Sequence, residues 1–371
     1  MLKVLISSPY KSNSGYGYKS RDFIRAFIKS FPQYDVKLFS MSWNSSTTSD
    51  VEDLDKYLVT KVDSQPDLFI QICLPSEMQF VGKKNILVTA GTEVTKIPND
   101  WVDKLNKCDL IIVPSKFTKS VILSNPNVKT KVEVLFEGID LDIVPTKFEL
   151  NEVEEDFCFL YVGQFMDNGI FSQDRKNLGN TIRYFFETFR NKKSKPALVL
   201  KTQTGDLSKF DYYTVLECVQ KIKSQFKKDS LPNVYLIHGE LTNGEMLGLY
   251  NNNKIKAMVS LTRGEGFGRP LLEFSTTNKP IIVSDHSGHL DFLDRNSNYL
   301  VEGNLIDIHP CSIWSAMPFD SQWFEPNYFD YKKGLYHVYE NYHKFSKTKR
   351  DLKRFSLENM SIKLKQIIDE K

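Results

Sequence analysis

At 371 residues the chain exceeds what one ordinary hydrophobic core supports and suits two domains of ~150–200 residues each. A hydrophobic share of 41% with 26% charged residues is that of a globular protein. The formal net charge of +3 is spread evenly, without the basic stripe of a nucleic-acid binder, so a nucleic-acid partner is not expected.

The five cysteines (Cys73, Cys108, Cys158, Cys218 and Cys311) are odd in number and far apart. None forms a CxxC pair or a Cys/His cluster at metal-ligand spacing, so they read as reduced, buried thiols and no metal is expected. The opening M-L-K-V-L-I-S-S is apolar too briefly for a signal peptide, and no apolar run approaches the ~20 residues that span a bilayer. A cytoplasmic protein is expected, monomeric or homodimeric, with peripheral contact at a membrane left open.

Short apolar runs alternate with helical periodicity through both halves. Lys3–Ser7 reads as a buried strand and Ser20–Phe31 as an amphipathic helix. Strands follow at Val36–Phe39, Leu68–Ile72, Asn85–Val88, Leu110–Val113 and Val132–Leu135, with helices at Asp100–Lys107 and Lys116–Ser124. The pattern restarts with strand Phe157–Val162, helix Leu178–Arg190, strand Ala197–Lys201 and helix Tyr213–Phe226. Val234–His238 is then a strand, Gly244–Asn251 a helix, and Ala257–Ser260 and Pro280–Val283 strands. Strands alternating with helices predict an α/β fold of parallel, doubly wound sheets with helices on both faces. The expected domains are residues 1–148 and 149–345, with a terminal helix over 346–371. Two such domains facing one another would bind ligands in a cleft at the C-terminal ends of their strands. Ile306–Tyr331, rich in Trp, Phe and Pro, has no clear period.

The strongest chemical signal is T-R-G-E-G-F-G-R-P-L-L-E-F at 262–274. Gly264, Gly266 and Gly268 follow a strand, and Pro270 suits the first turn of a helix. That layout aims backbone N–H groups at a bound phosphate or sugar hydroxyl. Glu265 is expected in the loop and Glu273 in the first helical turn, both facing one cavity. A lone glutamate at either place would read as a solvated loop residue or a complement to the helix dipole; two glutamates bracketing this run read as a site.

Those two glutamates, with G-F-G-R-P-L-L between them, resemble the donor motif of glycosyltransferase family 4, retaining enzymes of the GT-B fold with two Rossmann-like domains. The resemblance implies that Glu265 lies by the donor hexose and Glu273 binds the nucleotide ribose, with Gly266, Phe267, Gly268 and Gly288 lining the donor site. F-L-Y-V-G-Q-F at 159–165 and D-R-K-N-L at 174–178 resemble the family's diphosphate-binding strand and helix start. Cations there would stabilise the charge developing on a nucleoside diphosphate leaving group, which gives Arg175 and Lys176 a catalytic role without a metal. The family often has Arg where this chain has Gln164. S-N-S-G-Y-G-Y-K-S-R at 12–21 resembles the family's glycine-rich loop, placing Gly15 and Gly17 near donor and acceptor; taken alone, G-x-G is equally a tight turn. The third glycine of a dinucleotide fingerprint is absent. The tail R-F-S-L-E-N-M at 354–360 is similar to the family's closing helix, which crosses back to the N-terminal domain, or is a simple amphipathic terminal helix.

The acceptor side departs from the pattern. After strand Asn85–Val88 many family members have a His, where this chain reads T-A-G-T-E-V-T-K. Glu93 either orients or deprotonates an acceptor hydroxyl or forms an ion pair with Lys96. His286 and His289 have no third ligand nearby, and His238 at a strand end is a minor candidate. The resemblance implies transfer of a hexose from a nucleotide sugar, GDP-mannose before UDP-glucose, to a hydroxyl of a glycan, lipid-linked sugar or protein, by front-face attack. The alternatives are a GT-B epimerase or hydrolase of nucleotide sugars, and a nucleotide-sugar-binding protein without turnover. The compact Lys/Asn-rich chain and its G-Q-F…D-R-K-N run also resemble glycosyltransferases carried by large viruses and phages.

Overall fold

The computed structural model describes residues 1–43, 51–166, 169, 173–205, 207–313, 316–345 and 349–370. In chain order the elements are β1 (Lys3–Ser8), α1 (Gly15–Ser30), β2 (Asp35–Ser40), α2 (Glu52–Asp55), β3 (Leu68–Ile72), β4 (Lys84–Val88), α3 (Trp101–Lys107), β5 (Leu110–Val113), α4 (Lys116–Leu123) and β6 (Val132–Val134). They continue with β7 (Cys158–Val162), α5 (Leu178–Phe189), β8 (Ala197–Lys201), α6 (Lys209–Lys223), β9 (Val234–Ile237), α7 (Asn243–Asn251), β10 (Ile255–Ser260), α8 (Arg269–Ser275) and β11 (Ile281–Ser284). Last come β12 (Tyr299–Val301), β13 (Gly303–Asp307), β14 (Gln322–Pro326), α9 (Tyr328–Phe345) and α10 (Leu357–Asp369). The chain divides into two compact units. One comprises Met1–Leu141, Trp314–Ser321 and Leu352–Lys371; the other comprises Asp142–Ile313 and Gln322–Asp351.

The first unit is built on a six-stranded parallel sheet in the order β2-β1-β3-β4-β5-β6. Its inner strands are covered on both faces, which is why they read as largely apolar runs, whereas the edge strand β2 alternates buried and exposed residues. On one face Phe23, Phe27 and Phe31, at helical spacing on and just after α1, pack with Ile6, Ile70 and Val88, and α10 adds Met360, Leu364 and Ile367. The other face is closed by Trp101 and Leu105 of α3 and Val121 and Ile122 of α4. The tail is therefore a true amphipathic helix, fixed by a Ser356 cap and by the Ser30 hydroxyl donating to the Ser361 carbonyl at 2.8 Å.

The second unit holds another six-stranded parallel sheet, β12-β11-β10-β7-β8-β9. Strand order reverses between β7 and β10, the switch point at which open α/β sheets bind ligands. Leu178, Ile182, Phe185, Phe186 and Phe189 give α5 one continuous apolar stripe against this sheet, completed by Tyr331, Leu335 and Val338 of α9. A two-stranded antiparallel ribbon, β13-β14, lies outside the parallel sheet.

Differences from the sequence reading are local. Helix α1 begins at Gly15, five residues before the apolar period starts, because Ser14 caps it by accepting from the Gly17 N–H at 3.1 Å. The S-N-S-G-Y-G run is thus a cap and first helical turn more than a loop. Glu273 is the fifth residue of α8 rather than part of its first turn. In the aperiodic stretch the chain forms β14 and the start of α9.

Candidate active site

The loops after β7 and β10 meet through one group of charges. Residues 174–177 lead into α5, and the Asp174 carboxylate accepts from the Asn177 N–H at 2.9 Å, holding Asn177 left-handed (φ +56°) at the helix start. The turn offers Arg175 and Lys176 to the loop after β10. Lys176 Nζ donates to Glu265 Oε1 at 2.6 Å, and Arg175 Nη1 stands 3.5 Å from Glu265 Oε2 and donates to the Gly264 carbonyl at 2.7 Å. Burial alone would raise the Glu265 pKa, but the two cations and the Thr262 hydroxyl outweigh it and hold the carboxyl at about 2. Glu265 therefore stays ionised at any working pH and is unsuited to act as a general acid. The side chains of Arg175 and Lys176 keep 13% and 21% of their surface exposed, so a ligand anion can still reach them.

The backbone of the loop is fixed from the β11 side. The Glu265 N–H donates to Ser287 Oγ at 2.9 Å, and the Gly288 N–H donates to the Glu265 carbonyl at 3.0 Å. A Cβ on Gly288 would lie 2.2 Å from the Gly266 carbonyl oxygen, so only glycine permits this approach. Ser287 adopts φ +83°, a conformation costly for a side-chain-bearing residue and typical of functional sites. Gly268 (φ +93°) turns the chain into α8.

Glu273 stands apart from the Glu265 cluster. One carboxylate oxygen accepts from Arg269 Nε at 2.8 Å, one turn earlier, and the other from the Tyr250 hydroxyl at 3.2 Å. The Phe267 ring is buried and packs on Phe292, with ring centroids 5.2 Å apart. Gln164 is exposed and donates its amide to the Thr204 carbonyl. Its neighbourhood contains a second buried pair, His238 Nε2 to Asp211 Oδ2 at 2.7 Å; Asp211 also accepts from the N–H groups of Thr204 and Gly205. His238 thus has a local structural partner. His289 Nε2 donates to the Ser284 carbonyl at 2.7 Å, and His286 stacks on Phe324, where burial lowers its pKa to about 4. Among the described residues no three His, Cys, Asp or Glu side chains gather as a metal set.

In the first unit, Gly15 and Gly17 occupy the first turn of α1. Between them Tyr16 accepts from the Ala90 N–H at 2.9 Å and shares a hydrogen bond with Thr89 at 3.1 Å, linking α1 to the loop after β4. Glu93 lies in that loop, close enough to add to the burial that raises the Tyr16 pKa. Thr92 donates to the Ala316 carbonyl at 3.1 Å and Lys96 pairs with Asp320 at 2.5 Å, so both are engaged by the returning 316–321 segment. Lys19, buried beside Tyr16, has its pKa lowered by burial to about 8, with Glu137 opposing the shift.

Comparison with known proteins gives a family match for part of the chain and likeness of fold for the whole. Residues 217–309, which carry α7, β10, the Glu265 loop, α8 and Gly288, match the family model "Glycosyl transferases group 1". The chain carries a group 1 glycosyltransferase domain. No curated protein matches the chain by sequence. The sucrose-phosphate synthase of Thermosynechococcus elongatus superposes with a TM-score of 0.68 at 12% identity, covering 100% of this chain and 99% of that one. HepE of Anabaena, solved with UDP and glucose, gives 0.62 at 12% identity, and the lipopolysaccharide outer core galactosyltransferase WaaB gives 0.59 at 14%; both comparisons cover 100% of both chains. At these identities the likeness is one of fold, two parallel sheets of the GT-B type. Domain and fold together make the protein a glycosyltransferase.

Several residues of this candidate site escaped the sequence reading. Ser287, Thr262, Tyr250, Arg269 and Asp174 all touch the proposed donor residues or their backbone. Of these only Arg269 carried a readable signal, its i,i+4 spacing to Glu273.

Proposed function

We propose that the protein is a retaining hexosyltransferase of glycosyltransferase family 4 that moves a hexose from a nucleoside-diphosphate sugar to a hydroxyl acceptor, with departure of the diphosphate assisted by Arg175 and Lys176. The observation that carries this reading is the buried Glu265 carboxylate held by those two cations, its pKa lowered to about 2, at the switch point of the second sheet. A carboxylate already satisfied by two cations is a poor nucleophile and a weak base. It suits orientation of a sugar, and this favours front-face attack in which the leaving phosphate takes the acceptor proton. On binding, the donor diphosphate shares Arg175 and Lys176 with Glu265, and neutralising its charge in a partly enclosed site lowers the barrier to C–O cleavage without a metal. Glu273, steadied by Arg269 and Tyr250, accepts hydrogen bonds from the ribose hydroxyls.

The sequence reading leans to GDP-mannose; HepE, solved with UDP-glucose, brings UDP-glucose forward as the second donor. Calorimetric titration with both donors, followed by product analysis with and without a sugar acceptor, tests the proposal. Donor-dependent glycoside formation with the anomeric configuration retained supports it. Turnover of the donor alone to free sugar or an epimer, or binding without any turnover, overturns it.

A further inference from the structure

The guanidinium of Arg263 is almost enclosed, its side chain 5% exposed, and it lies two residues before Glu265. It does not reach into the site. Nη1 donates to the Asp174 carbonyl at 2.7 Å, while the Arg263 N–H donates to the Arg175 carbonyl at 2.8 Å. Two successive peptide units, those that launch Arg175 and Lys176, are thus held by one residue. On its far side Arg263 is fixed by the ribbon. Glu325 of β14 accepts from Nε at 2.7 Å and meets Nη2 at 2.6 Å, the Trp323 ring lies 4.7 Å from its Cζ, and the Phe324 N–H donates to its carbonyl at 3.0 Å. Tyr328 braces the same group, bonding both Glu325 and the amides of Asn177 and Asn180 at the start of α5. Trp323, Glu325 and Tyr328 all lie beyond residue 309, where the family match ends.

We propose that Arg263 is a positioning residue for transfer: locked by Glu325 of the β13-β14 ribbon, it fixes the backbone of residues 174–175 and so sets where Arg175 and Lys176 meet the donor diphosphate. A lysine ammonium on a flexible stem finds its place only as well as its backbone is placed. A charged guanidinium whose Nε and Nη2 both meet Glu325 Oε2 on one side, with a carbonyl on the other, is a stiff spacer between ribbon and loop. Fold maintenance alone would need only that the space be filled; it would not require that the charged spacer end on the Asp174 carbonyl, at the start of the turn that carries the site's cations.

This inference rests on the donor-site reading above, and the experiment separates the two. Affinities of the full chain for UDP and UMP, and for GDP and GMP, are measured for wild type, Lys176→Met, Arg263→Met and the double variant, with Glu325→Gln as a milder variant should Arg263→Met fold poorly. The readout is the ratio of diphosphate to monophosphate affinity, which a general loss of stability does not move. Arg263→Met is expected to lower that ratio roughly tenfold to a hundredfold, Glu325→Gln to lower it less, and the double variant to be little worse than Lys176→Met alone. If Lys176→Met lowers the ratio while Arg263→Met and Glu325→Gln leave it unchanged, or if the losses simply add, the positioning role is wrong and the donor site stands. If Lys176→Met itself leaves the ratio unchanged, or wild type binds none of the four nucleotides, the donor-site reading falls and this inference with it.

Discussion

The two units answer the same architectural problem with different strand orders and different chemistry. In the second unit the order reverses between β7 and β10, and the loops leaving that point carry two cations and a carboxylate bound to each other. In the first unit it reverses between β1 and β3, and the neighbouring strand-end loop is joined to α1 by neutral groups, the Tyr16 hydroxyl with Thr89 and Ala90. One pair of elements is thus joined by charge and the other by neutral hydrogen bonds, and that contrast is what mutations should break.

The largest effect is expected from Arg175→Ala with Lys176→Ala, which removes both cations from the leaving group. Transfer should fall by about a thousandfold or more, and a double variant with near-normal turnover would remove the leaving-group role. Next comes the acid behaviour of Glu265. Its folded pKa of about 2 lies below the ordinary 4.5, so its contribution is fully present above about pH 4.5 and is lost as pH falls towards 2. The stability advantage of wild type over Glu265→Gln should therefore shrink by about 3 kcal/mol across that window, read from denaturant midpoints at several pH values; an advantage that stays constant from pH 5 to pH 2 would contradict the ion triad. Glu273→Ala, which strips partners from Arg269 and Tyr250, should weaken nucleotide binding by about tenfold to a hundredfold, and calorimetry showing normal affinity would end the ribose assignment. Smallest is Tyr16→Phe, expected to cost about 1 kcal/mol of stability and to leave nucleotide affinity untouched. A large loss of nucleotide binding there would show that this buried link also serves the donor.

Buried parallel strands were legible almost to the residue. Leu68–Ile72, Leu110–Val113 and Ala197–Lys201 are covered on both faces and so present largely apolar runs. Helix α1 was legible only from Ser20, because its start is made by a cap and small residues that carry no hydrophobic period. The ribbon was not legible. All of β13 from Asn304 to Asp307 is exposed, so Leu305 and Ile306 give no inside–outside alternation, and the inward Trp323 and Phe324 of β14 are adjacent residues. At the site, glycine spacing and paired glutamates marked the Glu265 loop, whereas Arg263 and Ser287 gain their meaning from neighbours some distance away in sequence. The direction of the Phe267 ring, which is buried against Phe292, was not legible, because an aromatic ring between glycines gives no sign of which way it turns.

The return of α10 to the first unit reverses the usual order in which a chain becomes folded during synthesis. Domains ordinarily form in the order they leave the ribosome, N-terminal first. Here the second unit has all its segments once residue 351 has been made, while the first still lacks Met360, Leu364 and Ile367 from one face of its core. Its α1 face must wait, apolar and uncovered, while the second unit is synthesised. A nascent chain stalled before Leu357 should therefore protect the second unit from protease and leave α1 open to cleavage.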